Sequence, residues 1–215
     1  MTEKSKAIVS FLQRRFPDAR CALNFSSPFE CLVSVMLSAQ TTDASVNQVT
    51  PALFQAFPDA EALSKATPEE VEPYIKRLGL FKNKARNLVN MAKALMERHQ
   101  GQVPSKKEEL IALPGVGIKT ANVVGAECFG TAAIAVDTHV FRVSYRLGYS
   151  LLNDTPEKVE GILEKAFPKE LHIPLHHQLI HFGRAICHAQ RPDCESCELK
   201  RYCRLQKKTF STTGR

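Results

Sequence analysis

Residues 113–120 read Leu113-Pro114-Gly115-Val116-Gly117-Ile118-Lys119-Thr120, a glycine-rich turn entering a helix with a lysine on its lip. Backbone N–H groups at such a turn suit a phosphate, because a helix N-terminus carries unpaired donors and a partial positive charge. The same dipole disfavours an ammonium, and a neutral amine can form a Schiff base. Held there, the lysine is placed to attack a group attached to that phosphate. Val136-Asp137-Thr138-His139 sets a carboxylate at the start of another helix, 18 positions after the lysine. An aspartate there is a common N-cap, and the same carboxylate can do acid–base work. Near the C-terminus Cys187, Cys194, Cys197 and Cys203 follow the pattern C-x6-C-x2-C-x5-C. Four thiols in so short a stretch point to metal, and on spacing alone zinc and an iron–sulfur cluster compete.

These groups must be positioned by a chain of 215 residues, long enough for one large domain or two small ones. Hydrophobic residues make up 44% of it, which supports a packed core and excludes wholesale disorder. The net charge of +7 favours a polyanionic partner. Residues 184–215 contribute +5 and residues 1–20 contribute +3, on a body of −1. Basic ends on a nearly neutral middle predict that both termini help form one electropositive face. No apolar run approaches the ~20 residues of a membrane span, and the N-terminus lacks a secretory h-region. A soluble intracellular protein is the expectation. Cys21, Cys31 and Cys128 fall in apolar helical patterns and read as core.

Helix start signals recur along the chain. Ser27-Pro28 opens a segment running to about Ala39, and Asp43 is placed to cap 44–57. Thr67-Pro68-Glu69-Glu70 and Thr155-Pro156-Glu157 start two more. Ser105 and Glu108 form a capping-box pattern before Leu110 and Ile111. Ala85, Leu88, Val89, Ala92, Leu95 and Met96 make one apolar face over 82–99, with Gly101 as the stop. No alternating strand pattern appears, so the prediction is an all-α protein with short loops. His177 and His181 have a metal-compatible spacing of four but no third ligand, and read as helix or core histidines. Gly115 and Gly117 read as sites of positive φ and close backbone approach.

The hairpin 113–117 resembles a helix-hairpin-helix motif, which alone implies DNA backbone binding. Together with Leu37-Ser38-Ala39-Gln40, Lys119-Thr120-Ala121-Asn122-Val123-Val124, Ala135-Val136-Asp137-Thr138-His139, His176-His177 and the cysteine spacing, it resembles the endonuclease III family of DNA glycosylases over about residues 20–203. The resemblance implies a six-helix barrel domain with the helix-hairpin-helix over 21–131. It implies a smaller helical domain of 1–20 and 132–215 that holds a 4Fe–4S cluster on Cys187, Cys194, Cys197 and Cys203, with DNA in the cleft between. The activity implied is bifunctional: removal of oxidised pyrimidines and cleavage of abasic sites in double-stranded DNA. Lys119 would form the imine and Asp137 would support base loss. Gln40 and Leu80 would fill the gap left by the flipped base, and Pro114, Gly115, Val116, Gly117, Thr120 and His139 would contact DNA. A monomer is implied, in the cytoplasm with the nucleoid if the source is bacterial. Ile118 departs from many relatives, which carry a basic residue there. The related adenine glycosylases lack the lysine and carry a catalytic glutamate where this chain has Ser34. A reading of a different class is a DNA-binding module with a structural metal, and cleavage of an abasic-site duplex separates it from the enzyme.

Overall fold

A computed structural model describes residues 1–206. Lys207, Lys208 and Arg215, part of the basic C-terminal end, lie outside the described residues. The described residues are all α, as the sequence predicts. In chain order the helices are α1 Glu3–Arg15, α2 Pro28–Leu37, α3 Asp43–Ala56, α4 Ala60–Lys65, α5 Pro68–Ile75, α6 Phe81–His99, α7 Lys107–Ile111, α8 Ile118–Phe129, α9 Thr138–Arg146, α10 Pro156–Ala166 and α11 His172–Ala185. None is long and apolar enough to cross a membrane.

Most start signals act as read. Ser27 accepts the Glu30 N–H, Thr67 and Glu70 complete a capping box, and Thr155 accepts the Lys158 N–H. Two do not. Thr42, one residue before Asp43, caps α3 by accepting from the Ser45 N–H at 3.2 Å. Ser105 caps nothing, because α7 starts later, with Lys106 as an N-cap that makes no side-chain bond. At the end of α6 the left-handed turn begins at Gln100, with φ +54°, one residue before Gly101.

The chain divides into two compact units, Cys21–Thr131 and Met1–Arg20 with Ala132–Arg215. In the first, α4 and α5 pack on α6, and α2 packs on α3, α6 and α8. The expected face of α6 is in the core: Ala85, Leu88, Val89, Ala92 and Leu95 are buried. Cys31 is fully buried, and Cys21 and Cys128 pack partly buried against the same core. By sequence this unit holds 11 Lys and Arg against 11 Asp and Glu, so it is neutral.

The other unit holds 18 Lys and Arg against 11 acids and therefore the whole net charge. Its core joins Ile8 and Leu12 of α1, Val140 and Val143 of α9, Val159 and Leu163 of α10 and Phe182 of α11. Phe11 meets Phe182 edge-on, with ring centroids 5.6 Å apart. His177 is buried with its ring 4.9 Å from that of His176, and His181 lies beside Phe16. Among the described residues neither belongs to a metal-holding group. Helix α11 approaches α9 at Gly183, where an added Cβ would lie 2.9 Å from the His139 Cβ.

Gly183→Ala is therefore expected to destabilise the protein by ~1–3 kcal/mol, the scale of an overpacked contact. Gly161, inside α10, has nothing within 4 Å of a built Cβ. Gly161→Ala should stabilise by ~0.5–1 kcal/mol through helix propensity alone. Urea denaturation midpoints of the two variants check both signs.

Candidate active site

The hairpin is anchored by its apolar residues. Leu113 and Val116 are buried, and the Val116 N–H donates to the Leu113 carbonyl at 3.1 Å. Val116 thus anchors the turn, its side chain in the core and its N–H used within the hairpin. Gly115 has φ +76°, and a Cβ there would lie 2.9 Å from the Asn87 Cβ of α6, so glycine is required on two counts. Gly117 differs from expectation: its φ of −93° and ψ of 173° are open to any residue, and its built Cβ would meet nothing. What glycine does at 117 is leave α8 without a side-chain cap. The helix ladder begins with the Ala121 N–H on the Gly117 carbonyl at 2.9 Å. The N–H groups of Ile118, Lys119 and Thr120 precede that ladder and are its free donors. Lys119 is exposed on this bare turn, Pro114 and Thr120 are half-buried, and Ile118 is exposed.

Gln40 and Leu80 share an uncommon backbone state, with φ of +54° and +58°. For residues with a Cβ this conformation costs about 1–3 kcal/mol each. Leu80 starts α6 and is 59% exposed. Both residues line one open cleft, with Asn83, Lys84, Asn87 and Gly115 around them. Lys84 is buried, and its Nζ donates to the Thr41 hydroxyl at 2.6 Å. Burial pushes its pKa below the usual lysine range. Sequence reasoning missed Lys84. The available signal was a lysine in register with Leu88, Met91 and Leu95, on the buried face of α6. Ser34 is fully buried on α2, so the position where adenine glycosylases carry a carboxylate holds a core side chain here.

Asp137 is the N-cap of α9. Its Oδ1 accepts both the His139 and the Val140 N–H at 2.8 Å. The cap leaves Oδ2 unused, so one half-buried carboxylate can cap with one oxygen and present the other. The His139 side chain is half-buried. Burial, with Arg142 and Arg184 nearby, holds its pKa below the usual histidine range against the pull of Asp137. The neutral ring accepts from the Arg142 guanidinium through Nδ1 at 3.1 Å.

Arg142 and Arg146, one turn apart on α9, also reach the segment that begins the cysteine pattern. Arg142 donates to the Cys187 and Gly183 carbonyls at 3.0 and 2.9 Å. Arg146 donates to the His188 and Ala189 carbonyls at 2.6 and 3.1 Å and to the Cys187 Sγ at 3.3 Å. The four thiols line one pocket with Leu147, Phe182 and Ile186. Burial pushes the Cys187 and Cys197 thiols up, Cys197 to about 11, while Arg146 pulls Cys187 back. A soft, four-thiol donor set in an apolar pocket fits a metal that deprotonates its ligands. The two arginines were not singled out by sequence; their i, i+4 spacing on a helix that starts with Asp137 was the only hint.

The chain matches the family model of the HhH-GPD superfamily base excision DNA repair protein over residues 33–169. It is 49% identical over 189 residues to endonuclease III of Bacillus subtilis (strain 168), covering 88% of this chain and 86% of that one. It is 43% identical over 205 residues to endonuclease III of Escherichia coli (strain K12), covering 95% of this chain and 97% of that one. Among solved structures, a trapped endonuclease III–DNA covalent intermediate superposes with a TM-score of 0.91 at 45% identity, covering 98% of this chain and all of that one. The chain belongs to the HhH-GPD superfamily of base excision DNA repair proteins and, within it, to the endonuclease III family.

Proposed function

We propose that the protein is a bifunctional DNA glycosylase and abasic-site lyase of base excision repair, acting on duplex DNA that carries an oxidised pyrimidine or an abasic site. The observation that carries this reading is Lys119, an exposed amine on the uncapped first turn of α8. A related endonuclease III has been trapped as a covalent intermediate with DNA. A lysine amine is a group that can make such a bond with a sugar carbon.

The N–H groups of Ile118, Lys119 and Thr120 receive a DNA phosphate, and the Pro114–Gly117 turn follows the backbone. The damaged nucleotide is flipped from the stack. The Lys119 Nζ attacks C1′, the glycosidic C–N bond breaks, and the base leaves with the bonding pair and gains a proton. Loss of the amine protons and ring opening give the imine. Removal of a C2′ proton then expels the 3′ phosphate by breaking C3′–O, and water releases the lysine. Asp137 offers Oδ2 to the developing positive charge and to proton transfer. Gln40 offers hydrogen bonds to the orphan base, Leu80 an apolar wedge, and His139 a contact to DNA.

Four thiols line one apolar pocket, and the kinship with endonuclease III favours a 4Fe–4S cluster there over zinc. Cys187, Cys194, Cys197 and Cys203 would hold the cluster, which when bound supplies a covalent cross-link within the 187–203 segment. The Cys21–Thr131 unit then grips DNA through the hairpin, and the other unit carries the cluster and the charge. The working unit is a monomer, in the cytoplasm with the nucleoid DNA.

Borohydride should trap the wild type on a thymine-glycol or abasic duplex, and Lys119→Gln should trap nothing while still binding. Asp137→Asn keeps an N-cap residue, so the fold holds. It should still lose about 10²-fold or more in base excision, the scale of a positioned acid–base group. Undiminished trapping by Lys119→Gln would rule the assignment out. Purified protein should be brown with about four irons per chain, as the cluster requires. A colourless protein with one zinc, isolated without air damage, overturns the cluster.

A further inference from the structure

The geometry points to Lys84 as the positioning residue that holds Gln40 at the cleft it shares with Leu80. Lys84 has no part in the chemical steps of base release or strand cleavage. Its ammonium is engaged by a side-chain hydroxyl at the edge of the cleft. Lys84 is bonded at both ends. Its backbone N–H donates to the Leu80 carbonyl at 3.0 Å. Its Nζ donates to the Thr41 hydroxyl at 2.6 Å. That hydroxyl in turn reaches the Ala39 carbonyl at 3.3 Å. Gln40 therefore sits inside a short closed chain, from the Ala39 carbonyl to the Thr41 hydroxyl to the Lys84 ammonium.

The chain has a physical purpose because of the backbone it encloses. Gln40 has no glycine's freedom, and its positive φ must be held by its surroundings. A charge-assisted bond in a buried setting is stronger than a neutral one. It draws the 38–41 turn onto the first turn of α6, where Leu80 is held in the same left-handed state. Loss of the Lys84 bond frees Gln40 to relax towards ordinary backbone angles and away from the cleft it shares with Leu80. A buried lysine costs desolvation, which a packing role alone would not repay, since a methionine would fill the same space.

This inference rests on the reading of Gln40 and Leu80 as wedge residues, and the test separates the two. The measured quantity is the ratio of single-turnover excision from a paired thymine-glycol duplex to cleavage of a single-stranded abasic oligonucleotide. Gln40→Ala, Lys84→Met, their double variant, Thr41→Val and Thr41→Ser are compared, with thermal melts to verify folding. Lys84→Met and Thr41→Val should each lower the ratio about tenfold, a coupling within the range of contacting residues. Thr41→Ser keeps the hydroxyl and should restore the wild-type ratio, which a packing role for the Thr41 methyl would not allow. In the Gln40→Ala background Lys84→Met should lower the ratio no further. A full tenfold loss in that background overturns the proposal while leaving the wedge intact. An unchanged ratio for Gln40→Ala alone removes the wedge reading, and this proposal with it. A salt slope for binding undamaged duplex that falls by about one unit in Lys84→Met would make Lys84 a phosphate contact and also overturn it. Should Lys84→Met fail to fold, the Thr41→Val and Thr41→Ser pair decides alone: equal ratios for the two overturn the proposal.

Discussion

Four backbone carbonyls and one thiol of the 183–189 segment converge on two arginines of α9. Of these, the Gly183 carbonyl belongs to the last turn of α11, where carbonyls have no partner within the helix, and the others follow it. Cations at that end also oppose the negative pole of the helix dipole. The same two side chains fix the start of the cysteine pattern to the helix that Asp137 caps. Loss of Arg146 would unpair the His188 and Ala189 carbonyls at once, a loss larger than one ordinary hydrogen bond. Within this unit, the carboxylate and the first thiol are therefore referred to one rigid element. Gly183 completes the arrangement, since only a bare Cα lets α11 come close enough for Arg142 to reach its carbonyl.

Helices α8 and α9 begin in opposite ways, and the difference is chemical. Gly117 gives α8 no cap, so its first N–H groups stay available to an anion brought from outside. Asp137 gives α9 an internal anion, so its first N–H groups are already used. One helix start recruits a negative charge and the other holds one. In the Cys21–Thr131 unit, the left-handed residues Gln40 and Leu80 show where backbone strain is retained around a cleft.

Legibility in the sequence followed the range of the forces involved. Ser27, Thr67 with Glu70, and Thr155 act through atoms three residues away, and local spacing reveals them. Ser105 carried the same signature and failed, because α7 starts one residue later, with Lys106 at the N-cap and no side-chain bond. Gly115 and Gly117 look alike in the sequence. The positive φ of Gly115 and the approach of Asn87 from another helix distinguish them. The site residues Lys119, Asp137 and the cysteines were visible as types at recognisable spacings. Lys84, Arg142 and Arg146 were not, since each acts through a partner more than 40 positions away. Lysine is ordinarily read as surface, and only its register with Leu88, Met91 and Leu95 marks this one as buried.

The partition of charge between the two units separates two stages of an encounter with DNA. Diffusive search over undamaged duplex depends on counterion release, and that scales with the number of cationic side chains. Here those cations in excess all belong to the unit built from the chain ends. The Cys21–Thr131 unit has no net excess, and its hairpin offers peptide N–H groups with Lys119 beside them. On the proposed function, a rise in ionic strength would weaken scanning more than the hairpin's hold on a found nucleotide. Tethering a neutral reader to a cationic runner in this way lets dwell time and recognition be adjusted independently.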